Sequence, residues 1–211
     1  MDTVAIDGLL DRLRRGDQQA LAELFALYRE QLKRMVDIRL DHRLAGRVSA
    51  SDVLQDGYID ALKRLQHYFD KPNMPFHVWL RLIIGQRLVE VHRQHLGAQM
   101  RDAGQEVSMD HGLTAASSLC LAARLAGSLP SPSQAAIRAE RLAQLEKALD
   151  VMDPIDREVL ALRHFEELNN NEVAEILGIQ KSAASKRYVR ALARLKEILS
   201  QWPGFLETNC R

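Results

Sequence analysis

Apolar positions along the chain recur every three or four residues, and no Val/Ile/Thr alternation is long enough for a strand. From Asp17 onward Leu21, Leu24, Phe25, Tyr28, Leu32 and Met35 form one such helical series, with a break before it at Gly16. A second break falls around Gly46, after which Ser49 or Ser51 offers a hydroxyl cap. The helix that follows carries Val53, Leu54, Tyr58, Leu62 and Leu65 on its apolar side and ends at the turn DKPNMP. FHVWLRLIIGQRLVEVHRQHL then reads as a strongly apolar helix finishing in His and Arg.

Between about Gly97 and Ser133 the pattern dissolves into glycines, serines and the prolines at 130 and 132, the composition of a linker. Within it, GLTAASSLCLAARLAG is apolar enough for a short helix. Helical periodicity returns in IRAERLAQLEKALDVM. Asp153-Pro154-Ile155-Asp156 supplies a cap, a first-turn proline and an acidic residue for the helix through REVLALRHF. Asn169 with Glu172 three residues on has the form of a capping box before EVAEIL, and Gly178 breaks that helix from a last one running to about Leu199. The expected core of this lobe is Leu160, Leu162, Val173, Ala174, Leu177, Ile179, Ala184, Tyr188, Leu192 and Leu195. The expected fold is all-α, with two small helical domains joined by a flexible linker, the C-terminal one a helix-turn-helix.

The composition adds little until it is read locally. Of 211 residues, 46% are apolar and 27% charged, and the formal net charge is +1, so no whole-molecule field draws in an anionic partner. Yet six Lys or Arg and one Glu fall between Gly178 and Ser200. Ala184, Tyr188, Ala191, Leu192 and Leu195 share one face of that helix. Lys181, Ser182, Ser185, Lys186, Val189 and Arg190 are left toward solvent. A charge run alone describes a solvated helix face. A basic helix entered through helix–glycine turn–helix is what insertion into a DNA major groove requires, since phosphates flank the groove and base edges lie within reach.

Other chemistries find little support. No phosphate-binding glycine loop, HExxH, nucleophile elbow or cysteine-based site occurs, so neither enzyme nor cofactor is expected. His92 and His95 lie three apart without a third ligand, and no metal is expected. The two cysteines, Cys120 and Cys210, have neither metal nor disulfide spacing. With no signal peptide and no run of about 18 apolar residues, a cytoplasmic protein without membrane contact is expected.

MDPIDREVLALRHFEELNNNEVAEILGIQKSAASKRYVRALARLKEIL resembles the C-terminal domain of extracytoplasmic-function (ECF) sigma factors, a subfamily of the sigma-70 family of bacterial RNA polymerase sigma factors. RRGDQQALAELFALY, SASDVLQDGYIDALKRL and FHVWLRLIIGQRLVEVHRQH resemble, in order, that family's opening helix, its segment for the polymerase β′ coiled coil and its minus-ten helix. The resemblance implies promoter-specific transcription initiation with the polymerase core, through the β′ coiled coil and the β flap, and an anti-sigma factor is plausible. It divides the chain into an N-terminal sigma domain (1–98), a linker (99–134), a C-terminal sigma domain (135–200) and a short tail (201–211). It places Asp52, Gln55 and Asp56 at the polymerase contact. A carboxylate pair at that spacing also suits acid–base or metal chemistry, but no nucleophile or third ligand accompanies it.

For the minus-ten element the resemblance implies Lys71, Asn73, Met74 and Phe76 at a pocket for an unstacked base. Gln86 stands where the family usually has Asn, and Arg81, Arg87, His92, Arg93 and His95 are set against phosphates. For Phe76, Trp79 and Leu80 the competing reading is plain core. For the minus-thirty-five element, Ser185, Lys186, Val189 and Arg190 would face bases, while Lys181 and Arg187 would position the backbone. Gln180 is a poor cap, and a start at Ser182 would shift this register by a residue or two. The alternative function is a dimeric helix-turn-helix operator-binding regulator, which would need a dimerisation or ligand-sensing domain and no polymerase.

Overall fold

Asp17 begins the second helix in the way its position predicts: its side chain accepts a hydrogen bond from the Gln19 N–H at 3.0 Å. Arg12 holds the same carboxylate through Nε at 2.9 Å and reaches Glu23 at 3.0 Å, so the turn at Gly16 (φ 92°) is tied from both sides. The computed structural model describes residues 3–44, 46–70, 74–96, 118, 121–122 and 135–201, and no strand occurs among them. The chain divides into two units, Met1–Thr114 and Ala115–Arg211.

The first unit consists of α1 (Thr3–Arg14), α2 (Gln18–Asp37), a 3-10 turn (His42–Leu44), α3 (Ala50–Asp70) and α4 (Phe76–Leu96). Ser49 is the residue that caps α3. Its hydroxyl accepts from the Asp52 N–H at 3.2 Å, while the Asp52 carboxylate accepts from the Ser49 N–H at 2.8 Å. Leu21, Leu24, Met35, Leu54, Leu80, Ile84 and Leu88 are fully buried between the helices. Burying each such side chain is worth about 1.5–3 kcal/mol, which stabilises helices too short to persist alone. Gly57 on α3 faces Ile84 on α4 and lets the two backbones approach. One end of the unit is closed by Tyr68, Phe76 and Trp79, whose ring centroids lie 4.9–5.5 Å apart.

The second unit contains α5 (Ala135–Asp150), α6 (Pro154–Leu160), α7 (Asn170–Leu177) and α8 (Lys181–Ser200). Asp153 caps α6 by accepting from Ile155 at 2.9 Å and Asp156 at 3.3 Å, with Pro154 in the first turn. Asn169 and Glu172 form the complete capping box on α7. α6 does not end at Leu160 but widens into a π-helical turn over Ala161–Phe165. The chain then passes through Glu167 at φ 59°, an uncommon conformation for a residue with a Cβ. Arg163 braces this exit by donating from Nη1 to the Leu168 carbonyl at 2.6 Å.

Of the expected core, Leu160, Leu162, Val173, Ala174, Ala184 and Leu195 are buried, and Leu177, Ile179 and Tyr188 are half-buried. Leu192 is the exception at 41% exposed. The buried stripe of α8 runs Ala184, Ala191, Leu195, Ile198 and Leu199, and Leu192 falls just outside it. The expected linker 99–134 and tail lie outside the described residues apart from Ser118, Leu121, Ala122 and Gln201. Those first three are helical and buried, and the Ser118 hydroxyl accepts from Arg157 Nη1 at 3.0 Å.

Candidate nucleic-acid interface

The turn between α7 and α8 is set by backbone chemistry. Gly178 takes the left-handed conformation (φ 62°, ψ 32°), its N–H donates to the Glu175 carbonyl at 3.3 Å, and the Ile179 N–H donates to the Ala174 carbonyl at 2.9 Å. This pair of bonds is the Schellman closure, and glycine meets it without the steric cost that a Cβ brings. Gln180 follows in extended conformation with no side-chain cap bond, and α8 begins at Lys181. The poor cap therefore leaves the helix start in place, and Ser182 does not take over as cap.

Ala184 and Ala191, both fully buried, provide the small surface against which α8 packs. That fixes which side of α8 is free. Lys181, Ser182, Lys186, Val189 and Arg190 are exposed and Ser185 is half-buried, with Val189 an apolar residue left 63% exposed among cations. Arg187 departs from the rest. It is half-buried and donates from Nη1 to Asp156 at 3.2 Å, which fastens α8 to the first turn of α6. Tyr188 lies beneath the Arg163 guanidinium, 5.2 Å from ring centroid to the cation.

In the first unit, α3 presents Asp52 and Gln55 on an exposed face, with Asp56 half-buried beside them. The Ser49 N–H, and secondarily its hydroxyl, hold the Asp52 carboxyl below its ordinary range. Asp56 is engaged across the α3–α4 groove: Arg87 approaches it through Nη2 at 3.0 Å and Nε at 3.2 Å, with Asp60 3.9 Å away. Two residues named for different partners are thus partners of each other.

α4 requires three corrections. Phe76 (3% exposed) belongs to the aromatic cluster, Arg81 (4%) lies inside, and His92 (4%) is likewise buried, so none presents a surface to DNA in this unit. His92 Nε2 accepts from the Asp41 backbone N–H at 3.2 Å, joining α4 to the α2–α3 connection. Burial pushes its imidazole below the ordinary value; Asp41 raises it and Arg43 lowers it by less. Met74 is half-buried against the core, and Lys71 and Asn73 lie outside the described residues. Arg93 and His95 are exposed, with Arg93 3.5 Å from Glu90. Gln86 is exposed as expected, and the residue that holds it, Arg64, escaped the sequence reading: its Nη1 donates to Gln86 Oε1 at 2.6 Å. A contact between residues 22 apart on two helices leaves no local signal.

Among the described residues no group of three or more His, Cys, Asp or Glu could hold a metal ion, and no helix is long and apolar enough to cross a membrane. Residues 148–197 match the family model "Sigma-70, region 4". These residues include the glycine turn and the basic helix α8 described above. Relatives extend the match along the chain. The ECF RNA polymerase sigma factor SigW of Bacillus subtilis is 26% identical over 191 residues, covering 90% of this chain and 94% of SigW. ShbA of Streptomyces griseus, also an ECF sigma factor, is 29% identical over 202 residues, covering 95% and 98%. The fold is shared with the solved structure of CnrH in complex with the cytosolic domain of CnrY (TM-score 0.53, 22% identity, 92% of this chain and 96% of that one). Over most of its length the chain is thus similar to ECF sigma factors, and residues 148–197 carry the match to region 4 of the sigma-70 family.

Proposed function

We propose that this chain is an ECF-type RNA polymerase sigma factor that divides promoter-specific initiation between its units, with residues 1–98 docking on core polymerase and acting at the minus-ten element. Residues 135–200 would read the minus-thirty-five element. The observation that carries the second assignment is the free face of α8, where Lys186, Val189 and Arg190 stand exposed beside the glycine turn. Base edges are read by Ser185, Lys186, Val189 and Arg190, and Lys181 and Ser182 meet phosphates. Arg187 contributes by holding α8 on α6, since its guanidinium is already committed to Asp156.

On α3, Asp52 and Gln55 form the polymerase-facing surface, suited by charge to a basic coiled coil. Asp56 takes part in so far as Arg87 leaves it lone pairs to offer. On α4 the exposed groups Gln86, Arg93 and His95 are the ones that act on DNA directly, with Lys71, Asn73 and Met74 as the pocket before the helix. Phe76, Arg81 and His92 support this surface from within. The protein works in the cytoplasm as a transcription factor and not as an enzyme. An anti-sigma factor is a fitting regulator, by analogy with CnrH, whose solved structure holds CnrY.

The test is run-off transcription with core polymerase, using wild type and the Lys186→Ala/Arg190→Ala variant. Loss of both side chains should weaken promoter-specific initiation at least about tenfold, as expected from roughly 1–3 kcal/mol per base-reading contact, and leave co-purification with core polymerase intact. Unchanged promoter choice in the double variant would remove α8 as the reading helix. A dimeric operator-binding regulator would instead bind its site without polymerase, and stoichiometric capture of core polymerase in the absence of DNA excludes it.

A further inference from the structure

Gln86 occupies the exposed side of α4, and its amide is not free to turn. Arg64 on α3 donates from Nη1 to Gln86 Oε1 at 2.6 Å. Both side chains are exposed, yet the chemistry of the pair is one-sided, because a guanidinium carries donors and no acceptor. The amide therefore meets Arg64 with its oxygen and turns its NH2 group the other way. We infer that Arg64 is a positioning residue for promoter reading, fixing the amide so that Gln86 presents donors to the DNA. This rests on the reading of α4 as the minus-ten helix and specifies what that helix selects.

An unrestrained glutamine recognises adenine with both amide atoms, its oxygen accepting from N6 and its nitrogen donating to N7. With one lone pair of that oxygen taken by Arg64, the bond from N6 is left only the other and is weakened. What keeps its full strength is a donor that any acceptor on a major-groove edge can meet: N7 or O6 of guanine, N7 of adenine, O4 of thymine. Cytosine, which offers only its N4 donor there, is refused. The geometry thus gives a reader that excludes cytosine and separates adenine from guanine poorly. As DNA excludes water from the α3–α4 groove, the Arg64–Gln86 bond strengthens.

Arg64 tests this without touching the amide. The full-length protein, with core polymerase, transcribes a promoter library randomised over the upstream minus-ten positions, and transcript sequencing gives relative initiation for each base. Gln86→Ala identifies the position read, by flattening its preference. At that position Arg64→Met should raise adenine over guanine at least about fivefold, because the amide oxygen no longer shares its lone pairs with Arg64 and completes the bidentate pair. Arg64→Glu replaces donors by acceptors, turns the amide round and should shift preference toward bases with an exocyclic donor, cytosine among them. Arg64→Lys, again donors only, should keep the wild-type profile and so separates orientation from a packing role of the arginine stem. Wild-type base preferences in both Arg64→Met and Arg64→Glu would overturn the inference, as would a Gln86→Ala profile identical to wild type. Failure of the wild-type protein to direct any initiation would instead overturn the sigma-factor reading.

Discussion

Replacing Gly57 by Ala probes the α3–α4 crossing on which both candidate faces of the first unit depend. An added Cβ would fall inside contact distance of Ile84 Cδ1, 3.4 Å from its Cγ1 and 3.6 Å from its Cα. Ile84 is fully buried, so its methyl yields only against other core side chains. Overpacking of this kind costs about 1–3 kcal/mol. Alanine returns roughly 0.5–1 kcal/mol of backbone propensity in a helix. The net expectation is a loss of about 0–2.5 kcal/mol. Ile84→Val removes the obstructing Cδ1 and alone costs about 0.5–1.5 kcal/mol. In the double variant the new methyl fills the vacated space, so it should be more stable than the sum of the singles by roughly 1 kcal/mol. Urea unfolding followed by Trp79 fluorescence in a Trp202→Phe background measures this, since the chain has only these two tryptophans. Single losses that add to within about 0.3–0.5 kcal/mol would refute the view that this one contact sets the helix spacing.

Further expectations concern local chemistry. Asn169→Ala removes the capping box of α7 and should destabilise the second unit by about 1 kcal/mol, read as a lower midpoint in chemical unfolding. Arg187→Ala and Asp156→Ala remove the same partly exposed pair, so each should cost that unit roughly 1 kcal/mol or less, read as a lower midpoint in chemical unfolding. His92, held below its ordinary pKa mainly by burial, binds its proton more readily when the chain unfolds. Its contribution to stability is present above the unfolded value of about 6.5 and is lost as pH falls through that value toward the folded one. Unfolding of the first unit should therefore become easier on acidification through this window, and His92→Gln, which can still accept from Asp41, should flatten the dependence. An equal slope in His92→Gln would reassign it to other groups.

Much of the helix framework was legible because caps and turns are written in adjacent residues. Asp17, Asp153, Asn169 with Glu172, and Gly178 each act within four positions of where they stand, and each does so in the fold. The π-helical turn at Ala161–Phe165 was not legible, because apolar spacing in LALRHF fits an ordinary helix as well as a widened one. The errors on α4 have a different origin. Arg81, Ile84, Leu88 and His92 are spaced by three and four, so both polar residues lie on the buried stripe. Following that stripe strictly would have placed them inside; weighting positive charge as DNA contact put them outside. Pairings across the groove, Asp56 with Arg87 and Arg64 with Gln86, needed the helix crossing itself and had no sequence signature.

The central claim is that this chain, through its first unit, recruits core polymerase and, through α8, selects where transcription begins. Sequencing the 5′ ends of transcripts made in vitro by core polymerase with this protein on genomic DNA tests it most directly. The account predicts starts gathered downstream of a shared two-part element, dependent on the added protein and dispersed by Lys186→Ala/Arg190→Ala. Starts distributed as with core polymerase alone would contradict it.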